Sequence, residues 1–98
     1  MAGYVVVQVS IHDPEGFAAY AGMVPPTLEK FGGRYLVRGG NWVNVEGEWN
    51  PERLVIIEFD SVEQAKNWWA SDEYAPAKQL REQTTTSKLL IVEGYNHS

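Results

Sequence analysis

The 98-residue chain has no cysteine. A disulfide framework, a thiolate nucleophile and a Cys-ligated metal are therefore excluded, and packing alone must hold the fold, as suits a reducing cytoplasm. Cations are scarce: eight Lys and Arg face thirteen carboxylates, for a net charge of −5. That balance argues against a nucleic-acid backbone or an anionic membrane as partner. Long apolar runs are missing too. The longest, 54–57 and 89–92, are strand-sized, and residues 1–11 carry no basic lead, so neither a membrane span nor a signal peptide is expected. Histidine is limited to His12 and His97, which lack ligand spacing, so no metal and no haem is expected; His12 reads as a loop residue beside Asp13. The serines have no nucleophile-elbow context, and the pairs Gly32-Gly33 and Gly39-Gly40 adjoin strands rather than opening a helix, so they are turn glycines and not a phosphate cradle.

What remains is apolar periodicity. The length allows one domain over 1–98, with its core at about 3–94. Residues 4–11 alternate as a first strand. Asp13-Pro14 caps a helix whose Phe17, Tyr20, Ala21, Val24, Leu28 and Phe31 recur at helical spacing, and Pro25-Pro26 is expected to kink or interrupt it. Strands follow at 34–38 and, past a bend at Gly39-Gly40, at 42–46; a turn at 47–51 leads to a strand at 53–59. Ser61 with Gln64 forms a capping box for a second helix with Ala65, Trp68 and Trp69 as its buried stripe. Ser71 is expected to cap a further helical stretch through Arg81, before a last strand at 88–93 and a frayed tail from Gly94.

The order βαββαβ specifies an α+β, ferredoxin-like four-stranded antiparallel sheet with its helices on one face. Alternation assigns Val5, Val7, Val9, Tyr35, Val37, Val55, Ile57, Phe59, Leu90 and Val92 to the helix-covered face. The other face receives Tyr4, Val6, Leu36, Leu54, Ile56, Leu89 and Ile91 with Gln8, Arg34, Arg38, Glu58 and Glu93, too apolar to leave in water. Four short strands present roughly 300 Å², below the ~800 Å² per partner of a stable interface. The segment 39–51, with Trp42, Val43, Val45 and Trp49, is expected to supply the remainder by reaching to a second copy, so that two sheets close a barrel in a homodimer.

The stretches KFGGRYLVRGG at 30–40, RLVIIEF at 53–59, SDEY at 71–74 and VEGY at 92–95 together resemble the domain of unknown function 1330 family, in the dimeric α/β-barrel superfamily. The resemblance spans nearly the whole chain. It implies a ferredoxin-like subunit and a homodimer but no reaction, since related barrels include cofactor-free monooxygenases, lactone isomerases, haem peroxidase-like proteins and amino-acid sensors.

Two clusters carry candidate chemistry. Arg34, Arg38, Glu58 and Glu93 on the second face must pair, stay wet or bind a ligand; Arg38 with Glu58 is either an interfacial ion pair or an acid-base set. Between helices and sheet, Tyr20, Asn67, Trp68, Trp69, Tyr74 and Arg81 are expected to line a small aromatic pocket, with Tyr74 and Arg81 as catalytic candidates; the alternative is that the tryptophans fill the core while Asn67 and Arg81 face solvent. Arginine favours a carboxylate or enolate ligand over a cation. Two functions stay open. One is a homodimer that binds, or transforms without a cofactor, a small aromatic or carbonyl-containing metabolite; the other is a non-catalytic binding or assembly module.

Overall fold

Strand β1 (Gly3–Ile11) sets the frame, because Val5, Val7 and Val9 on one side of it are almost completely buried while Tyr4, Val6 and Gln8 on the other are not. The computed structural model describes residues 1–95, so His97 lies outside the described residues. After β1 come α1 (Pro14–Phe31), β2 (Arg34–Arg38), β3 (Arg53–Phe59), α2 (Val62–Trp69), α3 (Ala75–Thr84) and β4 (Thr85–Glu93). The strands form one antiparallel sheet in the order β2-β3-β1-β4, the ferredoxin-like βαββαβ arrangement with its second crossover helix divided into α2 and α3.

Residues directly opposite in an antiparallel pair share a face. Val5 stands between Ile57 and Ile91, and Val7 between Val55 and Leu89, which defines the inner face. Phe17, Val24 and Leu28 of α1, Ala65 and Trp68 of α2, Ala77 of α3 and Tyr74 before it close over that face in a single core. The Cα envelope is only 16 Å thick in its shortest direction, the depth of one helix layer on one sheet. The outer face is bare.

Local chemistry explains the helix ends. Asp13 Oδ1 accepts from Gly16 N at 3.2 Å with Pro14 at the first helical position, and Gly32, at φ 76°, ends α1 in the left-handed region that glycine enters without strain. Ser61 Oγ accepts from Gln64 N at 3.1 Å and donates to Gln64 Oε1 at 3.4 Å, so Gln64 returns to the Ser61 hydroxyl rather than its backbone, while its amide nitrogen donates to Phe31 O at 3.4 Å and ties α2 to the end of α1. Ser71 caps a turn rather than a helix: its Oγ accepts from Tyr74 N at 3.1 Å and donates to Trp68 O at 2.7 Å, and α3 begins only at Ala75.

Five expectations need correction. Helix α1 is not interrupted at Pro25-Pro26 but continues to Phe31. The missing Pro25 donor frees the carbonyl of Ala21, which accepts instead from Arg38 Nη2 at 3.4 Å, so a side chain from β2 replaces a lost backbone donor. Residues 42–46 form no strand; 39–52 is a loop closed by Trp42 Nε1 donating to Pro51 O (2.8 Å), Asn44 Nδ2 to Trp49 O (3.0 Å) and Trp49 Nε1 to Gln8 Oε1 (2.8 Å). Strand β4 has the opposite phase: Leu89 and Ile91 pack on the core while Leu90 and Val92 are exposed on the outer face. It enters at Thr85 opposite Ile11, which sets odd-numbered residues inward, whereas the uninterrupted Leu89-Leu90-Ile91-Val92 run contains no phase of its own. In β2 the register slips between Tyr35 and Val37, so Arg38 sits opposite Val55 on the inner face, away from Glu58. Gly94 is not frayed, since its N–H donates to Ala2 O at 2.7 Å.

Candidate functional site

The slip in β2 and the alternation of β3 bring Arg38 and Arg53 to the same place. Arg53 stands opposite Val9, on the inner face at the start of β3. Between these two arginines and α1 lies a cleft walled by Phe17, Tyr20, Val24, Tyr35, Val55 and Trp68. Its unfilled space with the open mouth is about 430 Å³, but the part that accepts the centre of a water-sized group is only about 20 Å³. The enclosed floor thus holds one or two small polar groups and no ring.

Both guanidiniums rest on aromatic faces. The Arg38 guanidinium carbon is 4.6 Å from the Tyr35 ring centroid, and that of Arg53 is 5.2 Å from Phe17. Arg53 Nε is buried without a partner. Gly39, at φ 69°, lets the chain pass against the Arg53 guanidinium; a Cβ there would lie 2.3 Å from Nη1.

Behind this wall the Tyr20 and Tyr74 hydroxyls are 3.1 Å apart. Burial pushes the Tyr20 hydroxyl far above the usual tyrosine range, and the neighbouring Tyr74 adds to the effect. Burial raises Tyr74 as well, opposed by the hydrogen bond from Tyr20 and by the Arg81 charge. Desolvation likewise raises Tyr35, against the nearby Arg38. Tyr74 is completely buried with its ring centroid 4.1 Å from that of Trp68, whose Nε1 donates to Thr27 Oγ1 at 2.9 Å. Arg81 is 5% exposed, with Nε and Nη1 unpartnered. The arrangement can bind anionic oxygen at the arginines, beside two hydroxyls that burial keeps protonated.

Of the residues singled out from the sequence, Tyr20, Trp68 and Arg38 line the cleft, and Tyr74 and Arg81 lie behind it. Asn67 and Trp69 are exposed on the far side of α2, where Lys78 Nζ sits 3.7 Å from the Trp69 ring centroid. Glu58 is on the outer face, ion-paired with Arg34. Arg53 and Tyr35 were missed as site residues. The signal was present for Arg53, because it stands in step with Val55, Ile57 and Phe59 in RLVIIEF, all on the inner face.

The outer face has its own hollows. One with about 640 Å³ of unfilled space is lined by Trp42, Val43, Val45, Trp49 and Leu54; another with about 560 Å³ is lined by Val6, Gln8, Trp49, Leu54 and Leu90, so both are roomier and more open than the cleft. Among the described residues no group of three or more His, Asp or Glu is placed to hold a metal ion, and no helix is long and apolar enough to cross a membrane.

One antiparallel sheet in the order β2-β3-β1-β4 with its helices on one face defines the ferredoxin-like fold class. The chain belongs to the family described as Domain of unknown function (DUF1330), whose model matches residues 2–95. No curated protein matches it. Among solved structures, it is similar to a protein of unknown function from Rhodopseudomonas palustris (TM-score 0.76, 19% identity, 97% of this chain and 83% of that one). SnoaB, a cofactor-independent oxygenase from Streptomyces nogalater, shares the fold at TM-score 0.56 and 11% identity, over 97% of this chain and 94% of that one. So does a dimeric protein of unknown function and ferredoxin-like fold from Bacteroides fragilis, at TM-score 0.56 and 16% identity, over 95% and 96% of the two chains.

Proposed function

We propose that this protein is a cytoplasmic homodimer of single-domain subunits that binds a small aromatic or carbonyl-containing metabolite at the helix-sheet cleft, without a cofactor. The observation that carries the reading is the convergence of Arg38 and Arg53 on a cleft walled by Phe17, Tyr20, Tyr35 and Trp68. Aromatic walls with a few placed polar groups are the composition of a small-molecule site. The fold shared with a cofactor-independent oxygenase and with a dimeric protein supports both halves of the reading.

Dimerisation rests on the outer face. Leu36, Leu90 and Val92 are 51%, 57% and 47% exposed there, beside Val6, Leu54 and Ile56. The loop 39–52 adds exposed Trp42, Val43, Val45 and Trp49 to the same apolar surface, which a second copy would cover by closing sheet on sheet.

Binding is favoured over a reaction inside the cleft because the enclosed floor is about 20 Å³, too small for a whole ring to be shut away from water. The catalytic reading rests instead on the Tyr20–Tyr74 hydroxyl pair, with the buried Arg81 charge beside Tyr74. Native mass spectrometry of gently purified protein tests both parts. The expected species has twice the 11.0 kDa chain mass and carries a small added mass on each subunit. A bare dimer sinks the ligand reading for the purified state, and a monomer sinks the barrel.

A further inference from the structure

Charge is distributed in an unexpected way. The chain carries thirteen carboxylates against eight Lys and Arg, so any arginine has an excess of acids available. Among the described residues, the side-chain ion pairs are Lys30–Glu73 and Arg34–Glu58. Arg38, Arg53 and Arg81 have no carboxylate partner, and all three gather on the helix side of the sheet around the Tyr20–Tyr74 pair. Two of them retain buried nitrogen donors with nothing to donate to: Nε of Arg53, and Nε and Nη1 of Arg81. A buried donor in a folded protein ordinarily has a partner, and buried guanidiniums are ordinarily paired with carboxylates. Solvation does not explain Arg53 Nε or the Arg81 nitrogens, since none of these atoms is open to water.

We infer that the cleft takes a small monocarboxylate with an apolar or aromatic tail, the carboxylate seated between Arg38 and Arg53. This deepens the ligand-binding reading above and rests on it. Three features select this chemistry. The guanidiniums of Arg38 and Arg53 present planar donor forks, which match the planar oxygen pair of a carboxylate. The enclosed floor of about 20 Å³ suits a carboxylate head and excludes a ring, which must lie in the mouth against Tyr20 and Tyr35. The ligand supplies negative charge to a cleft whose own lining holds no carboxylate, the Glu82 charge being felt only at Tyr74 behind it. Arg81, one layer behind, adds positive potential without touching the ligand and is a positioning residue for the Tyr20–Tyr74 pair.

The test uses the intact protein and two probes of nearly equal shape, benzoate and benzamide, titrated calorimetrically at low salt. Benzoate is expected to bind at least tenfold more tightly than benzamide. That preference should vanish in Arg53→Gln, be weakened in Arg38→Gln, and be unchanged in Lys78→Gln, which removes a cation placed over Trp69 outside the cleft. Arg38 is exposed, so its variant keeps the question answerable if Arg53→Gln fails to fold. Equal binding of the two probes leaves the cleft as a site and overturns the carboxylate. Preference retained in both arginine variants overturns the assignment of these side chains, and binding of neither probe overturns the cleft reading with it.

Discussion

The two faces of this sheet have nearly the same apolar character and opposite fates. The inner face offers Val5, Val7, Val9, Ile57 and Phe59, and three helices bury it; the outer face offers Val6, Leu36, Ile56, Leu90 and Val92, and no helix among the described residues covers it, only the loop 39–52 reaching it through Trp49 on Gln8. Helices lie on one side only because both crossovers share one hand. Apolar alternation therefore builds a subunit on one face and an attachment surface on the other. The inner face also holds the unpaired arginines, whereas Arg34 on the outer face has Glu58. Among the described residues, the buried side-chain nitrogens without a partner, on Arg53 and Arg81, lie on the helix side of the sheet.

Trp68→Ala should separate the two faces most sharply. The ring is 1% exposed, stacks with Tyr74 and Phe59, and has its Nε1 hydrogen-bonded to Thr27. Its truncation is expected to cost about 3–5 kcal/mol of subunit stability in denaturant unfolding. Leu90→Arg on the outer face should leave secondary structure intact but weaken subunit association at least a hundredfold, about 2.7 kcal/mol, read by light scattering across a dilution series. If Leu90→Arg unfolds the subunit instead, the outer face is part of the monomer's own core and the comparison fails.

Arg81→Met asks whether the inner face tolerates its charge for stability or for function. A buried guanidinium with two unpartnered nitrogens and no carboxylate is costly, and an apolar side chain of similar length removes that cost. The variant should gain about 1–3 kcal/mol in denaturant unfolding. A loss of stability would mean that the guanidinium is compensated by groups around it, and that its unpartnered nitrogens carry no net cost.

The element order, the capping at Asp13 and Ser61 and the bare apolar face were legible because each depends on local chemistry or on period-two alternation. The phase of β4 was not, because four consecutive apolar residues fit either face and only pairing of Thr85 with Ile11 decides between them. Arg38 was placed on the wrong face for a related reason: a one-residue slip between Tyr35 and Val37 has no signature in RYLVR. Residues 42–46 alternate like a strand, yet the Trp42 indole and the Asn44 amide donate across the loop and the Trp49 indole donates to Gln8 of β1. Arg53 was readable from alternation alone. Its importance as a donor without a partner was not, since that requires knowing what surrounds it.

The smallest expected effect is the alkaline limb of stability. Desolvation raises the Tyr20 and Tyr74 hydroxyls above their ordinary value near 10, so both stay protonated in the native protein while the unfolded chain begins to ionise. The native state then binds more protons than the unfolded one, and stability must fall as pH rises. Their contribution is fully present below pH ~10 and is lost progressively above it, at about 1.4 kcal/mol per pH unit for each tyrosine held protonated. Tyr20→Phe should make that slope shallower, measured as denaturant midpoint against pH with tyrosinate absorbance followed in parallel. An unchanged slope would place the Tyr20 hydroxyl in water, which would remove the buried hydroxyl pair that distinguishes the inner face as a site from the outer face as a docking surface.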